Sequence, residues 1–369
     1  MEPDSTIQTN EASRLAGRDE RPAERLLGMT LPDGWKVVER VARDISKETG
    51  GRFSVGYIVE NNGTRAFLKA LDLSAALSAR ENVAEHIFAL TAEYLFERDI
   101  LEVCGRERLS RIVHILGHGE ITVDMALPHG VGRVLYLVFE LANADVRKHL
   151  AFAARIDELW KLRTLHQIAV GLQQLHTKGI AHQDVKPSNV LLFEQFGSKL
   201  GDLGRAVSAG KASLHDAYQV AGDFGYAPPE ALYGFRPPEW VDSRDASDLY
   251  LVGSMVVFLF AGHSMTNALL SQLADEFVPT TLRGKWNGGY RDVLPYLLDA
   301  FDKAISRIVS AFPRGIAREL EQAVRQMCHP DPHLRGHPEA RRSAGRPVGV
   351  DRYISLFNKL ALLAARDLK

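Results

Sequence analysis

The segment Ala181-His182-Gln183-Asp184-Val185-Lys186-Pro187-Ser188-Asn189 carries reactive side chains in the pattern His-x-Asp-x-Lys-x-x-Asn. A second segment, Lys199-Leu200-Gly201-Asp202-Leu203-Gly204, adds another aspartate. Between them an apolar run from Val190 to Phe193, a turn near Phe196-Gly197-Ser198 and a short second strand at Lys199 and Leu200 predict a β-hairpin. Moving a phosphoryl group from ATP to a hydroxyl needs a group that orients and deprotonates the acceptor. It also needs hard oxygen ligands for Mg²⁺ and cations against the developing charge. Asp184 suits the first task, and Lys186 is placed to approach the γ-phosphate. Asn189 and Asp202 offer oxygens to magnesium.

A chain of 369 residues with 46% apolar side chains can bury a substantial core around such a site. Its net charge of −1 and the absence of a basic run point away from nucleic acid and from a membrane surface. The two cysteines, Cys104 and Cys328, do not suggest a disulfide framework, and the polar start shows no secretory signal, so a cytoplasmic setting is expected. The apolar stretch Leu249 to Gly262 falls short of the roughly 20 residues of a membrane helix and reads as a buried core helix.

Residues 1 to 33 are charged and lack an apolar period. They read as a disordered tail in which Ser5, Thr6, Thr9 and Ser13 are possible autophosphorylation sites. Order should begin near Gly34 with three antiparallel strands, the last two joined by a hairpin at Asn61-Asn62-Gly63. Residues 78 to 103 read as a helix, and Leu109 to Glu120 and Val131 to Leu141 as two more strands. Residues 156 to 178 form a long amphipathic helix. Residues 338 to 350 look like a linker before a last amphipathic helix, Asp351 to Leu368, expected to pack on the helical part.

The chain resembles the eukaryotic-type serine/threonine protein kinases over residues 34 to 340. The resemblance rests on the His-x-Asp-x-Lys-x-x-Asn loop, the Asp-Leu-Gly segment and Ala227-Pro228-Pro229-Glu230. It implies an α+β, two-lobed protein-kinase-like fold. A β-rich N-lobe (34–141) and an α-helical C-lobe (142–340) would hold ATP between them, followed by a linker and C-terminal helix (341–369). It further implies that Lys69, on the third strand, grips the α- and β-phosphates and pairs with a helical glutamate. Glu97 is the choice and Glu93 the alternative. The segment Tyr136 to Ala142 resembles the hinge that binds the adenine edge, with Phe139 as gatekeeper and Glu140 and Ala142 beside it. Asp145 is a candidate for the ribose hydroxyl or for a helix cap, and Leu191 for the floor of the adenine pocket. Asp248 fits the residue that anchors the catalytic-loop backbone, with a simple N-cap as the alternative. Arg335 fits the cation that Glu230 needs if buried.

The departures are informative. The loop over the phosphates departs from Gly-x-Gly-x-x-Gly: Thr49-Gly50-Gly51-Arg52-Phe53-Ser54 keeps only the middle glycine, Gly51, with Gly50 beside it. Where such kinases usually roof the adenine with a valine and an alanine, this chain has Gly56 and Phe67, so Phe67 is expected to cover the base and fill the space vacated at Gly56. The alternative is a shifted register in which Gly56 relieves a bulge. Gln183 replaces the usual arginine before the catalytic aspartate. That arginine commonly meets an activation-loop phosphate, so activity independent of such a phosphate is expected. Asp223 replaces a threonine, and its charge is expected to raise the pKa of a neighbouring carboxylate. The loop histidines His329, His333 and His337 lack the constellation of a known metal site.

These features look like a bacterial relative. The expectation is ATP- and Mg²⁺-dependent phosphorylation of serine and threonine in protein substrates, with self-phosphorylation possible. The alternatives are a nucleotide-binding pseudokinase acting as a scaffold, and a kinase of a small-molecule hydroxyl.

Overall fold

A computed structural model describes residues 21–41, 54–71, 73, 82–124, 132–152, 157–211, 218–345 and 347–367. The chain divides into two compact units. One comprises residues up to Arg106 with His114–Leu141, the other Glu107–Val113 with Ala142–Lys369.

The first unit is built on a five-stranded antiparallel sheet. It consists of β1 (Lys36–Arg40), β2 (Ser54–Asn61), β3 (Thr64–Leu71), β4 (Ile115–Thr122) and β5 (Arg133–Glu140), in the order β1-β2-β3-β5-β4. The β2–β3 hairpin turns at Asn62 and Gly63, both at positive φ, the conformation that the Asn-Gly pair favours. Alternation along the strands gives the sheet two faces. On one, Val55, Tyr57, Val59, Ala66, Leu68, Ala70, Val134, Tyr136 and Val138 are buried. The other carries Gly56, Ile58, Phe67, Lys69, Leu137 and Phe139 in register. Helix α1 (Val83–Arg106) buries Tyr94, Glu97, Ile100, Leu101 and Cys104 at helical spacing, and the Tyr94 hydroxyl donates to the carbonyls of Gly119 and Tyr136 at 3.3 and 3.2 Å.

The first of these faces corrects the expected tail. Order begins by Arg21, not Gly34: Pro22–Glu24 forms a 3₁₀ turn, and Ala23, Leu26, Leu31 and Trp35 join the core cluster over the sheet. The Tyr57 hydroxyl donates to the Ala23 carbonyl at 2.7 Å. Few and irregularly spaced, these apolar residues show no period in sequence, because it is the sheet that supplies their partner surface. A second correction concerns Leu109 to Val113. These residues lie outside the first unit's sheet, and Ile112 forms a parallel bridge with Leu200 of the second unit's own hairpin.

The second unit begins with β6 (Ala144–Asp145) and α2 (Val146–Phe152). Next comes α3 (Glu158–His176), N-capped by Asp157, whose side chain accepts from Trp160 N. Then follow β7 (Ile180–Ala181), the hairpin β8 (Val190–Phe193) and β9 (Gly197–Leu200), and β10 (Val207–Ser208), which pairs with β7. After the short α4 (Pro229–Leu232), a π-helical turn (Val241–Asp245) runs into α5 (Ala246–Ala261). Helix α5 is the apolar stretch and is buried on nearly every side as the core of this unit. No helix among the described residues is long and apolar enough to cross a membrane. The unit closes with α6 (Met265–Leu270), α7 (Tyr290–Ile308), α8 (Ala317–Met327), α9 (Pro338–Arg342) and α10 (Val350–Asp367). Helix α10 buries Tyr353, Phe357 and Leu360 and packs along α3. The expected linker is also corrected, since Pro338–Arg342 is helical and Arg341 reaches the Asp242 carboxylate and the His333 carbonyl.

The N-terminal segment is therefore part of the core. Leu26, fully buried, when changed to Ala should cost about 2–5 kcal/mol in a urea titration. Leu27, 57% exposed, when changed to Ala should stay within about 0.5 kcal/mol of wild type. Equal, small effects at both positions would return the segment to the status of a tail.

Candidate functional site

The loop after β7 is hung on one buried side chain. Asp248 is fully buried, and its Oδ2 accepts from His182 N at 2.7 Å while Oδ1 accepts from Gln183 N at 2.7 Å and Gln183 Nε2 at 2.9 Å. His176 Nε2 lies 2.9 Å from Oδ2. Burial alone would raise the Asp248 pKa, but the His176 hydrogen bond and charge, with the loop donors, hold it below the usual carboxylate value. Burial likewise works against a charged His176, yet Asp248 raises its pKa. Asp248 is the third residue of α5, and both oxygens serve the loop rather than the helix N-terminus. Gln183 is held at φ +61°, in the left-handed region that bulky residues rarely adopt.

Asp184 projects from this loop into a set of donors. Lys186 Nζ lies 3.0 Å from Oδ2, and Asn189 Nδ2 donates to Oδ2 at 3.0 Å and to the Asp184 carbonyl at 2.8 Å. Asp223 N donates to Oδ1 at 3.1 Å. A Cβ at Gly222 would collide with Oδ1, so only glycine lets the chain pass so close. Burial raises the Asp184 pKa, Lys186 opposes it, and the charge of Asp202 adds to it. The carboxylate expected to exert that effect was Asp223; its Oδ1 instead accepts from Gly225 N at 2.8 Å and its Oδ2 lies 3.9 Å from Lys186 Nζ.

Asp202, also at positive φ, follows Gly201, whose N–H donates to the Asn189 carbonyl at 2.8 Å. The Asn189 and Asp202 side chains offer hard oxygens of the kind magnesium takes. Among the described residues no group of three or more His, Cys, Asp and Glu side chains is arranged to hold a metal. His329 Nδ1 engages Asp331, and His333 Nδ1 lies 2.8 Å from Asp242.

In the first unit, Lys69 Nζ lies 2.9 and 3.1 Å from the two Glu97 oxygens, with Glu97 4% exposed. Strands β2 and β3 pair without a shift, Gly56 opposite Lys69 and Ile58 opposite Phe67, which removes the bulge alternative. A Cβ at Gly56 would lie 3.0 and 3.1 Å from Cε2 and Cζ of Phe67, so the ring occupies the space that a side chain at position 56 would need. Phe139 pairs with Phe67 across β3 and β5. Glu140 Oε1 accepts from His114 N at 2.8 Å.

Ala142, Asp145 and Leu191 lie in the second unit. Asp145 caps α2 by accepting from Lys148 N at 2.8 Å, the second of its two expected roles, and pairs with Leu191 in the β6–β8 ladder. Gly50, Gly51 and the possible self-phosphorylation sites Ser5, Thr6, Thr9 and Ser13 lie outside the described residues.

Behind the Ala-Pro-Pro-Glu segment, Arg335 Nη1 and Nη2 donate to the two Glu230 oxygens at 2.6 and 2.7 Å. The guanidinium also donates to the carbonyls of His329, Pro330 and Ala246 and lies 5.0 Å from the Tyr250 ring centre, so a 0% exposed charge is fully partnered. Sequence reasoning missed His176 and Arg244. His176 carried a signal, since it ends α3 just before the loop. Arg244 carried none, because its meeting with Gln183 depends on the π-helical turn.

The family model for the protein kinase domain matches residues 80–341. The chain is similar to the Aurora/IPL1-related protein kinase 2 of Caenorhabditis elegans, 27% identical over 47% of this chain and 55% of that one. It is similar to the serine/threonine-protein kinase PknA of Mycobacterium tuberculosis, 28% identical over 55% of this chain and 45% of that one. It is also similar to the Aurora kinase of Schizosaccharomyces pombe, 29% identical over 68% and 66%. The chain thus spans about half to two thirds of the length of these curated relatives.

Removing one partner of the buried Glu230–Arg335 pair leaves the other uncompensated. Glu230→Gln should lose about 3–5 kcal/mol of stability, read from denaturant unfolding. A loss below about 1 kcal/mol, the range of an exposed pair, would show that solvent reaches this charge.

Proposed function

The chain belongs to the protein kinase family, and from that premise we propose that it transfers the γ-phosphoryl group of ATP, with Mg²⁺, to serine or threonine hydroxyls of protein substrates. The observation that carries the proposal is the setting of Asp184, a carboxylate raised in pKa by burial yet steadied by Lys186, Asn189 and the Asp223 amide. Asp184 orients the acceptor hydroxyl and takes its proton, and Lys186 sets positive charge 3.0 Å away for the transferring group. Lys69, aligned by Glu97, holds the α- and β-phosphates. Asn189 and Asp202 would ligate Mg²⁺, which when bound neutralises phosphate charge. The serine/threonine assignment is supported by Lys186 two residues after Asp184 and by the relative named a serine/threonine-protein kinase.

Phe67 covers the adenine in this reading, and Phe139 and Glu140 stand on the adjacent strand. Ala142 and Leu191 are assigned to the base. Asp145, whose Oδ1 caps α2, is also assigned to a ribose hydroxyl. Gly50 and Gly51 are assigned to the phosphates on sequence alone.

Intact mass after incubation with ATP and Mg²⁺ tests the activity. Wild type should gain phosphate on serine or threonine, or label added protein, while Asp184→Asn should lose at least about 10²-fold in rate, the contribution of a general base. ATP binding without turnover in wild type would make the chain a nucleotide-binding scaffold, and labelling of a small hydroxyl compound alone would change the substrate class. For the base-covering ring, Phe67→Ala should raise the ATP KM by about tenfold, some 1.4 kcal/mol. Adding Gly56→Val to it should recover most of that loss, because the space is exchanged between the two positions. An unchanged KM in Phe67→Ala would remove the ring from nucleotide binding.

A further inference from the structure

Gln183 sits beside the residue assigned as catalytic base, in a backbone conformation that side-chain-bearing residues rarely take, φ +61°. Something must hold it there. Its main-chain N–H is held by Asp248. Its side chain, in a residue only 9% exposed, is held at both ends. Nε2 donates to Asp248 Oδ1 at 2.9 Å and to the Arg244 carbonyl at 3.2 Å, and Oε1 accepts from Arg244 Nη1 at 3.2 Å. Arg244 is itself 6% exposed.

Arg244 is the fourth residue of the π-helical turn Val241–Asp245, which enters α5 one turn before Asp248. The wide turn places both the Arg244 carbonyl and its guanidinium on the Gln183 amide, so one residue grips both ends of that amide. The π-helical turn and the start of α5 thus carry two devices against one loop, Arg244 on the Gln183 side chain and the Asp248 carboxylate on that side chain and on the loop backbone. Gln183, Asp184, Gly222, Ser243 and Arg244 line one cavity, so the grip lies next to the assigned base.

We propose that Arg244 is a positioning residue for phosphoryl transfer, acting through Gln183 as a built-in brace of the catalytic loop that is present without any added phosphate. The inference rests on the kinase reading above for its catalytic consequence, but its structural half stands without it. The side chain at 183 is a neutral amide whose oxygen accepts from a guanidinium in this same chain. A charge-assisted hydrogen bond of that kind is stronger than a neutral one and fixes orientation.

The test uses the full chain with Arg244→Met, which keeps much of the apolar stem and removes the donors. Gln183→Ala, the double variant and Arg244→Lys complete the set. Hydrogen exchange followed by mass spectrometry reads peptides covering 181–189, and steady-state kinetics reads phosphate transfer to myelin basic protein. Arg244→Met and Gln183→Ala should each speed exchange in that segment, the former without a change of exchange in α3. Each should lower kcat by about tenfold, the scale of one lost charge-assisted hydrogen bond, with the ATP KM within about twofold. The double variant should be no worse than Gln183→Ala, because the guanidinium contact that Arg244→Met removes is already lost with the Gln183 side chain. Arg244→Lys should recover part of both signals, and it decides the matter if the Met variant does not fold. Phosphatase treatment of wild type should leave kcat unchanged.

Unchanged exchange and kcat in Arg244→Met, additive losses in the double variant, or a phosphatase-sensitive wild type would each overturn the proposal. If wild type transfers no phosphate at all, the kinase reading fails. Exchange over 181–189 then decides the brace alone, faster exchange in Arg244→Met supporting it and unchanged exchange refuting it.

Discussion

A carboxylate taken wholly out of water is tolerated only where hydrogen bonds and charge replace its hydration. Asp248 meets that condition with His176, two consecutive backbone N–H groups and the Gln183 amide, and its pKa stays low in spite of full burial. Because each of these donors satisfies the buried charge, none can move without cost. The core helix α5, the end of α3 and the loop carrying Asp184 are therefore locked in one arrangement. The apolar packing of α5 supplies the rigid floor, and the carboxylate converts that rigidity into a fixed loop. The same floor anchors the peptide segment behind Glu230, where Arg335 donates to both the Glu230 carboxylate and the Ala246 carbonyl at the start of α5.

Around Asp184 the electrostatics are balanced rather than maximised. Burial and Asp202 favour the protonated acid, and Lys186 favours the anion. Asp223 lies 3.9 Å from the Lys186 ammonium and offers Asp184 its backbone N–H, so the dipole of its peptide group favours the Asp184 carboxylate. Gly222 makes this possible, since any side chain there would strike the Asp184 oxygen. In the first unit an analogous exchange of volume occurs between Gly56 and Phe67, and the unshifted β2–β3 register makes the two positions compete for one space.

The sequence by itself determined most of the elements and singled out the residues to which the chemistry is assigned. The Asp184, Lys186 and Asn189 spacing lies within one loop, and the hairpin to Asp202 follows from a short apolar run and a turn, so local geometry carries the pattern. The Lys69–Glu97 pair was readable through the family resemblance, which calls for a third-strand lysine and a glutamate on the following helix. Asp248 and Arg335 were readable through the family resemblance, not through any local signal. What only the tertiary structure decided depends on surfaces that do not exist until the chain folds. Ala23, Leu26 and Leu31 have no period, and they are buried because the sheet presents an apolar face that needs covering. Arg244 reaches Gln183 because a π-helical turn rotates it there, and hydrogen bonds between residues 61 apart leave no trace in local composition. Asp145 caps α2 because the chain's turn into that helix brings the Lys148 N–H within its reach. Periodicity and spacing report what a residue can do, whereas burial and the identity of its long-range partners settle which of those things it does.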